Sequence, residues 1–195
     1  MSYHIYHTEA LILGGKAAGE GDRVLYCYTR ELGLILAHAK SLRENHSKLR
    51  YTLQTFAHAE IDLVRGKYGW KLISAYPIDS FTSLWRHPSK RKIVAAHAQL
   101  LRRLIQGEER HELLFDDLLS GLRFLSGIEN EAELRAGELI FVVRMLSRLG
   151  YWGDAVRFPQ LALENVWTAE LLSFAQKART PLILGINQAL ELSHL

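Results

Sequence analysis

The sequence predicts an α+β multidomain chain: a five-stranded β-barrel in residues 1–80, then an all-α helical bundle in residues 81–195. Two observations carry this. Apolar and polar residues alternate with the period of a strand up to Tyr76, and apolar residues recur with the period of a helix after Pro88. Turn chemistry also punctuates the first part, at Gly33 and at 65–69.

The strands are read in order. His4 to Leu13 alternates partially and forms the first, with Gly14-Gly15 through Gly21 as a flexible connection. Val24 to Tyr28 is rich in aromatic and β-favouring residues. Glu31-Leu32-Gly33 makes a tight turn into Leu34 to Ala39. From Ala57 to Val64, Glu60 and Asp62 point one way and Ala59, Ile61 and Leu63 the other. Arg65-Gly66-Lys67-Tyr68-Gly69 is a hairpin loop, and Trp70 to Tyr76 returns. Five strands with an irregular or helical insert between the third and fourth follow the plan of an OB-fold.

Helices follow. Ser89 is the expected cap of a helix striped by Ile93, Val94, His97, Leu100, Leu101, Leu104 and Ile105, ended by Gly107. Glu109 to Leu125 repeats the pattern. Glu131 to Leu149 has acids in its first turns and Arg144 and Arg148 near its end, which suits the helix dipole. Its stretch from Leu139 to Met145 is apolar nearly all round, so this helix is the expected centre of the bundle. Thr168 to Arg179 and Pro181 to Leu192 complete the set, with Thr180-Pro181 as cap and first helical position of the last.

Composition bounds function. A hydrophobic content of 48% over 195 residues is enough for a real core. Net charge is +3, and it is unevenly placed. Between Lys40 and Lys71 seven Lys/Arg face three acids, a net of +4, so the rest of the chain sums to −1. A single cysteine, Cys27, rules out an internal disulfide and any multi-cysteine zinc module within the chain, and reads as a buried filler. The N-terminus lacks the pattern of a signal peptide, and no window is apolar enough for a membrane span. A soluble, reducing, cytoplasmic setting is expected.

The basic connection after the third strand carries Lys40, Arg43, Lys48 and Arg50 against one acid, Glu44. Several cations on one face release counterions from a phosphate backbone and bind it without reading sequence. A second patch, Arg65, Lys67, Tyr68, Trp70 and Lys71, interleaves aromatics with cations as single-strand binding requires, although Trp70 fits the barrel core equally well. Tyr26 and Tyr28 share a face and read as core. Gly14 to Gly21 fails as a phosphate loop, because Glu20-Gly21 stands where Lys-Ser/Thr is needed. No histidine spacing suits a metal, and His97 reads as a hydrogen-bonded core residue. His38 and His46 flank the basic connection and add charge below neutral pH. Asp116 and Asp117 diverge on their helix, and no catalytic set stands out, so no enzyme and no cofactor are expected.

These residues, in this order, resemble the RecO family of recombination mediators. The resemblance rests on Glu20 and Asp22, on Thr29-Arg30-Glu31-Leu32-Gly33, and on Ala39-Lys40 with Arg43. It continues in Ser47-Lys48-Leu49-Arg50, in Leu53-Gln54 with Phe56, and in Phe141 with Leu149-Gly150-Tyr151. There are departures. Ser41 stands where the family usually has glycine, Val142 replaces an acid, and Leu139-Ile140 stands where some members have two arginines. Many members open a four-cysteine zinc module after this point, whereas Tyr151-Trp152-Gly153-Asp154 is followed by no cysteine.

The resemblance implies an OB-fold before a helical domain. It also implies binding of single- and double-stranded DNA without sequence preference, and annealing of complementary strands. It further implies action with RecR to help RecA displace single-stranded DNA-binding protein, at the nucleoid. The helical domain would hold the acidic C-terminal tail of that binding protein, with Arg102, Arg103, Arg135, Arg144 and Arg148 as the available cations. Two alternatives stay open: an adaptor of the same fold with weakened DNA binding, and an RNA-binding OB-protein.

Overall fold

A computed structural model describes residues 4–42, 52–105, 107–153, 157–162, 164 and 166–193. Compactness groups the chain into two units: residues 1–81 with 98–111, and residues 82–97 with 112–195. The sequence places a single boundary after residue 80; the chain instead leaves the barrel unit and returns to it before finishing in the helical unit.

In the first unit, β1 (Ile5–Ala18), β2 (Asp22–Thr29), β3 (Gly33–Ala39), β4 (His58–Gly66) and β5 (Gly69–Asp79) close into a barrel. The strand order is β1-β2-β3-β5-β4, with β3 and β5 parallel and the other pairs antiparallel. The expected five-stranded OB-fold is therefore present. Ile12, Leu25, Cys27, Ile35, Ala37, Ile61, Leu63 and Leu72 alternate inward and fill the interior.

One sequence expectation is corrected here. The glycines from Gly14 do not form a flexible connection; β1 runs through them to Ala18. β1 pairs with β4 through Ile5–Leu11 and with β2 through Ala10–Ala18, and the β2 register shifts between Ile12 and Gly15. A long strand that passes from one neighbour to the other around a closed barrel bends between them, and a bulge supplies the bend. Gly14 supplies a φ of 113°, and a Cβ on Gly15 would lie 2.8 Å from the Val24 carbonyl oxygen. The true β1–β2 turn is Gly19-Glu20-Gly21.

The Thr29 to Gly33 turn is held by its own residues and by β1. The Thr29 hydroxyl accepts from the Leu32 amide at 3.0 Å and donates to the Gly33 carbonyl at 2.9 Å. Arg30 reaches the Glu9 carboxylate at 3.3 Å, and the Thr8 hydroxyl donates to Glu31. Gly33 is at φ 67°, and a Cβ there would lie 2.3 Å from the Glu109 carbonyl oxygen. Only glycine fits. Leu53 and Phe56 are buried, and the Ala57 amide returns to the Gln54 carbonyl at 2.9 Å.

The second unit holds α1 (Thr82–Arg86), the start of α2 (Pro88–Leu104), α3 (Glu112–Gly127), α4 (Glu131–Arg148), α5 (Pro159–Ala162), α6 (Ala169–Lys177) and α7 (Arg179–Leu192). As expected, α4 is the centre: it packs on α3, α5, α6 and α7. Asn130 caps it, accepting from the amides of Ala132 at 2.8 Å and Glu133 at 3.2 Å. At its other end Gly150 takes φ 77°. The Gly150 amide donates to Ser147 at 3.1 Å and the Tyr151 amide to Leu146 at 2.8 Å. This is a Schellman closure, which explains why Leu-Gly-Tyr ends the helix.

Three expected helix starts are corrected. α2 starts at Pro88, and Ser89 lies inside it, donating to Glu131 at 2.6 Å. α3 starts at Glu112 rather than Glu109, because residues 107–111 lie against the barrel. α7 starts at Arg179 after Ala178, so Pro181 occupies the third helical position, where no intrahelical amide bond is lost. Among the described residues, no helix is long and apolar enough to cross a membrane.

Candidate nucleic-acid interface

The pleat that sends Ile35, Ala37 and Cys27 inward sends Val24, Tyr26, Leu36 and His38 outward. Register then sets them side by side: Val24 opposite His38, Tyr26 opposite Leu36, and His38 beside Lys71 of β5. Leu36 is 49% exposed and Ile73, two residues past Lys71, is 54% exposed. The Arg102 guanidinium, from the part of α2 grouped with the barrel, sits 4.8 Å from the centre of the Tyr26 ring. The outer sheet of β2, β3 and β5 is thus a mixed apolar and cationic surface.

Lys40 leaves this face at the end of β3 and is exposed. Asp22 fixes the exit: one carboxylate oxygen accepts from the Ser41 amide at 2.8 Å, and the other lies 3.3 Å from His38 Nε2. Ser41 adopts φ 51°, the left-handed conformation, at the position where the resemblance expects glycine. Arg43, Lys48, Arg50 and His46 lie outside the described residues.

The second predicted patch divides. Tyr68 is 90% exposed at the tip of the β4–β5 hairpin, with Lys67 Nζ 5.4 Å from its ring centre. Lys71 is exposed on the outer sheet. Trp70 does not join them; it is only 5% exposed, packs edge-on against Tyr6, and donates its indole N–H to Glu108 at 2.9 Å. Its alternation with exposed Lys71 turns it into the barrel, so it offers no face to a base. Arg65 is exposed but committed, donating to the same Glu108 carboxylate at 3.1 Å.

The arginines expected to meet a partner tail are also redistributed. Arg102 lies over Tyr26 on the barrel, and Arg103 is exposed in the same unit. Arg144 is 1% exposed and holds α5 and the chain after it, donating to the carbonyls of Leu161 at 3.2 Å and Val166 at 2.7 Å. Its guanidinium also stacks 4.6 Å from the Trp167 ring centre, and burial lowers its pKa. It is a core residue, unable to greet a peptide. Arg148 is bound to buried Asp117 at 2.5 Å. Arg135 remains at the surface, 3.1 Å from Glu131, and lines a cavity of about 320 Å³ with Ala132, Ala136, Leu139, Gln176 and Arg179.

Titratable groups elsewhere are structural. His97 was expected to be hydrogen-bonded; it is 2% exposed, stacks on Phe141 with ring centres 4.5 Å apart, and neither ring nitrogen has a hydrogen-bond partner among the described residues. Burial pushes its imidazole down to about 3. Burial likewise pushes the Cys27 thiol up to about 12. His7, Asp62 and Ser74 touch in a row, with Asp62 in the middle and His7 at 2.6 Å. The imidazole therefore does not reach the hydroxyl, and the row is not a nucleophile with its base. Ser74, ahead of the opposing effect of burial and together with His7, holds the Asp62 carboxyl below the usual range. Among the described residues, no group of three or more His, Cys, Asp or Glu is placed to hold a metal ion.

Comparison with known proteins matches residues 1–81 to the family described as Recombination protein O N terminal and residues 92–154 to Recombination protein O C terminal. The chain is 33% identical over 150 residues to the DNA repair protein RecO of Heliobacterium modesticaldum, covering 75% of this chain and 52% of the relative. It is 29% identical over 150 residues to that of Clostridium novyi, covering 77% and 58%. A RecO of Dehalococcoides mccartyi is 33% identical over 150 residues, covering 76% and 57%. The chain spans little more than half the length of these curated relatives.

Proposed function

Because the chain belongs to the RecO family of DNA repair proteins, we propose that it is a DNA-binding recombination mediator whose barrel carries the DNA. The supporting observation is the outer sheet of β2, β3 and β5. Tyr26, Leu36, His38 and Lys71 lie on neighbouring strands, Arg102 stands over Tyr26, and Lys40 leads into the basic connection. OB-folds bind oligonucleotides on this sheet and on the flanking loops, of which the exposed Lys67-Tyr68 tip is one. Rings offer stacking to any base and cations follow the phosphates, so single and double strands bind without sequence preference. Cations that screen two backbones let complementary bases pair, and no covalent chemistry is required. With RecR, this activity would help RecA displace single-stranded DNA-binding protein.

The test is binding of a labelled oligonucleotide across a salt series, for the protein and for Tyr26→Ala. Substituting a stacking residue costs about 1–3 kcal/mol per base. Tyr26→Ala should therefore weaken binding to oligo(dT) while leaving the salt slope unchanged. Unaltered affinity would move the stacking surface elsewhere.

For the partner tail, the groove of Arg135, Leu139, Gln176 and Arg179 supports a seat better than the buried Arg144. An apolar side chain would enter between Ala136 and Leu139, and a terminal carboxylate would pair with an arginine. A peptide copying the tail should bind the full chain, and amidating its C-terminus should weaken binding sharply. Equal binding of the acid and amide forms would reject this seat.

A further inference from the structure

Resting on the reading that the barrel binds nucleic acid, we propose that Glu108 is an internal phosphate mimic, holding Arg65 off the nucleic acid and setting how many phosphates the barrel engages.

The segment from Gly107 to His111 lies against the barrel within the same compact unit. The Leu34 amide donates to the Gly107 carbonyl at 3.2 Å, and the Tyr28 hydroxyl donates to the His111 carbonyl at 3.1 Å. Gly33 lets the backbone of Glu109 approach to a distance that any Cβ would block. The main chain on both sides of Glu108 is thus fixed, and its side chain is aimed.

Its carboxylate divides between two donors. Oε1 takes the indole N–H of Trp70 at 2.9 Å, and Oε2 takes the Arg65 guanidinium at 3.1 Å. Arg65 also lies 5.2 Å from the centre of the Trp70 ring. A carboxylate in this place offers Arg65 what a phosphodiester would offer: a negative oxygen at hydrogen-bonding distance. Arg65 stands on the hairpin whose tip presents Lys67 and Tyr68 to solvent. It is therefore a cation in the right place whose charge is already answered. The pair is exposed, 60% for Arg65 and 41% for Glu108, so water and competing anions reach it, and the ion pair is weak enough to exchange.

The experiment measures fluorescence anisotropy of labelled oligo(dT) over a salt series. The proteins are the unsubstituted chain, Glu108→Gln, Arg65→Ala and the double variant. Glutamine keeps an acceptor for Trp70 and removes the charge. Glu108→Gln should bind about two- to fivefold more tightly, the range an exposed ion pair implies. Its plot of log affinity against log salt should steepen by about 0.7, the increment for one further single-strand phosphate neutralised. Arg65→Ala alone should keep the salt slope of the unsubstituted chain, because Arg65 neutralises no phosphate; the bared Glu108 carboxylate lowers affinity only by its field. In the double variant the gain should vanish.

A salt slope flattened by about 0.7 in Arg65→Ala would overturn the proposal by placing Arg65 on the DNA already. So would an unchanged Glu108→Gln, or a gain that persists without Arg65, which would mean only a lowered acidic field. The Arg65→Ala result decides even if Glu108→Gln fails to fold. Binding by the unsubstituted chain with failure of these contrasts sinks the mimic alone. No binding by any of the proteins sinks the barrel reading with it.

Discussion

His97 shows how a single buried side chain sets a pH dependence. Its folded-state pKa of about 3 lies below the ordinary 6.5, so the unfolded chain takes up a proton that the folded chain refuses. Its contribution is intact above about pH 6.5 and is lost as pH falls from there toward 3. The slope is at most about 1.4 kcal/mol per pH unit. His97→Phe keeps an aromatic ring against Phe141 and should flatten that part of the stability profile, measured by urea unfolding at a series of pH values. Parallel profiles would show that His97 is already protonated or hydrated when folded. At Gly33, alanine would meet the Glu109 backbone at φ 67° and should cost roughly 1–3 kcal/mol, read as a lower unfolding midpoint with unchanged slope. The turn at Gly33 was legible in the sequence, since the Thr29 hydroxyl closes it locally on Leu32 and Gly33. Trp70 was not legible, because an aromatic beside cations has the same pattern whether it packs inward or stacks on a base. Glu108 could not be found at all: its partners are 38 and 43 positions away.

At the scale of elements, the glycines after Leu13 illustrate an ambiguity of code. Glycine marks both a loop and a bulge, and only the neighbours Val24 and Leu25 decide between them. The hairpin of β4 and β5 held no such ambiguity, because its turn residues sit between two clear alternations. The connection from Lys40 to Arg50 belongs to this scale too. Asp22 anchors its start through Ser41 and His38. Replacing Lys40, Arg43, Lys48 and Arg50 together with alanine should weaken binding to every DNA sequence alike. The log–log salt slope should flatten by about one unit for each duplex phosphate that is no longer neutralised. Circular dichroism should barely change if these cations serve binding alone, since surface substitutions usually shift stability by less than about 0.5 kcal/mol. An unchanged salt slope would assign the phosphates to the outer sheet instead.

At the scale of the molecule, the sequence conveyed the fold class because strand and helix periods change near Pro77 to Pro88. It did not convey that residues 98–111 join the barrel unit. Helical periodicity tells which face of α2 is apolar, not which unit covers it. That return of the chain supplies Arg102 to Tyr26 and Glu108 to Arg65, the two pairings that most shape the candidate interface. The central claim is that the barrel brings strands together by charge and stacking. Its most direct test follows annealing of two complementary oligonucleotides, each coated with the cognate single-stranded DNA-binding protein, by energy transfer between labels. Binding through the barrel predicts annealing faster than without the protein, slowed by rising salt and by the Lys40, Arg43, Lys48 and Arg50 substitutions. Annealing no faster with the protein than without it, while the protein still associates with the coated strands, would contradict the claim and leave an adaptor of the same fold.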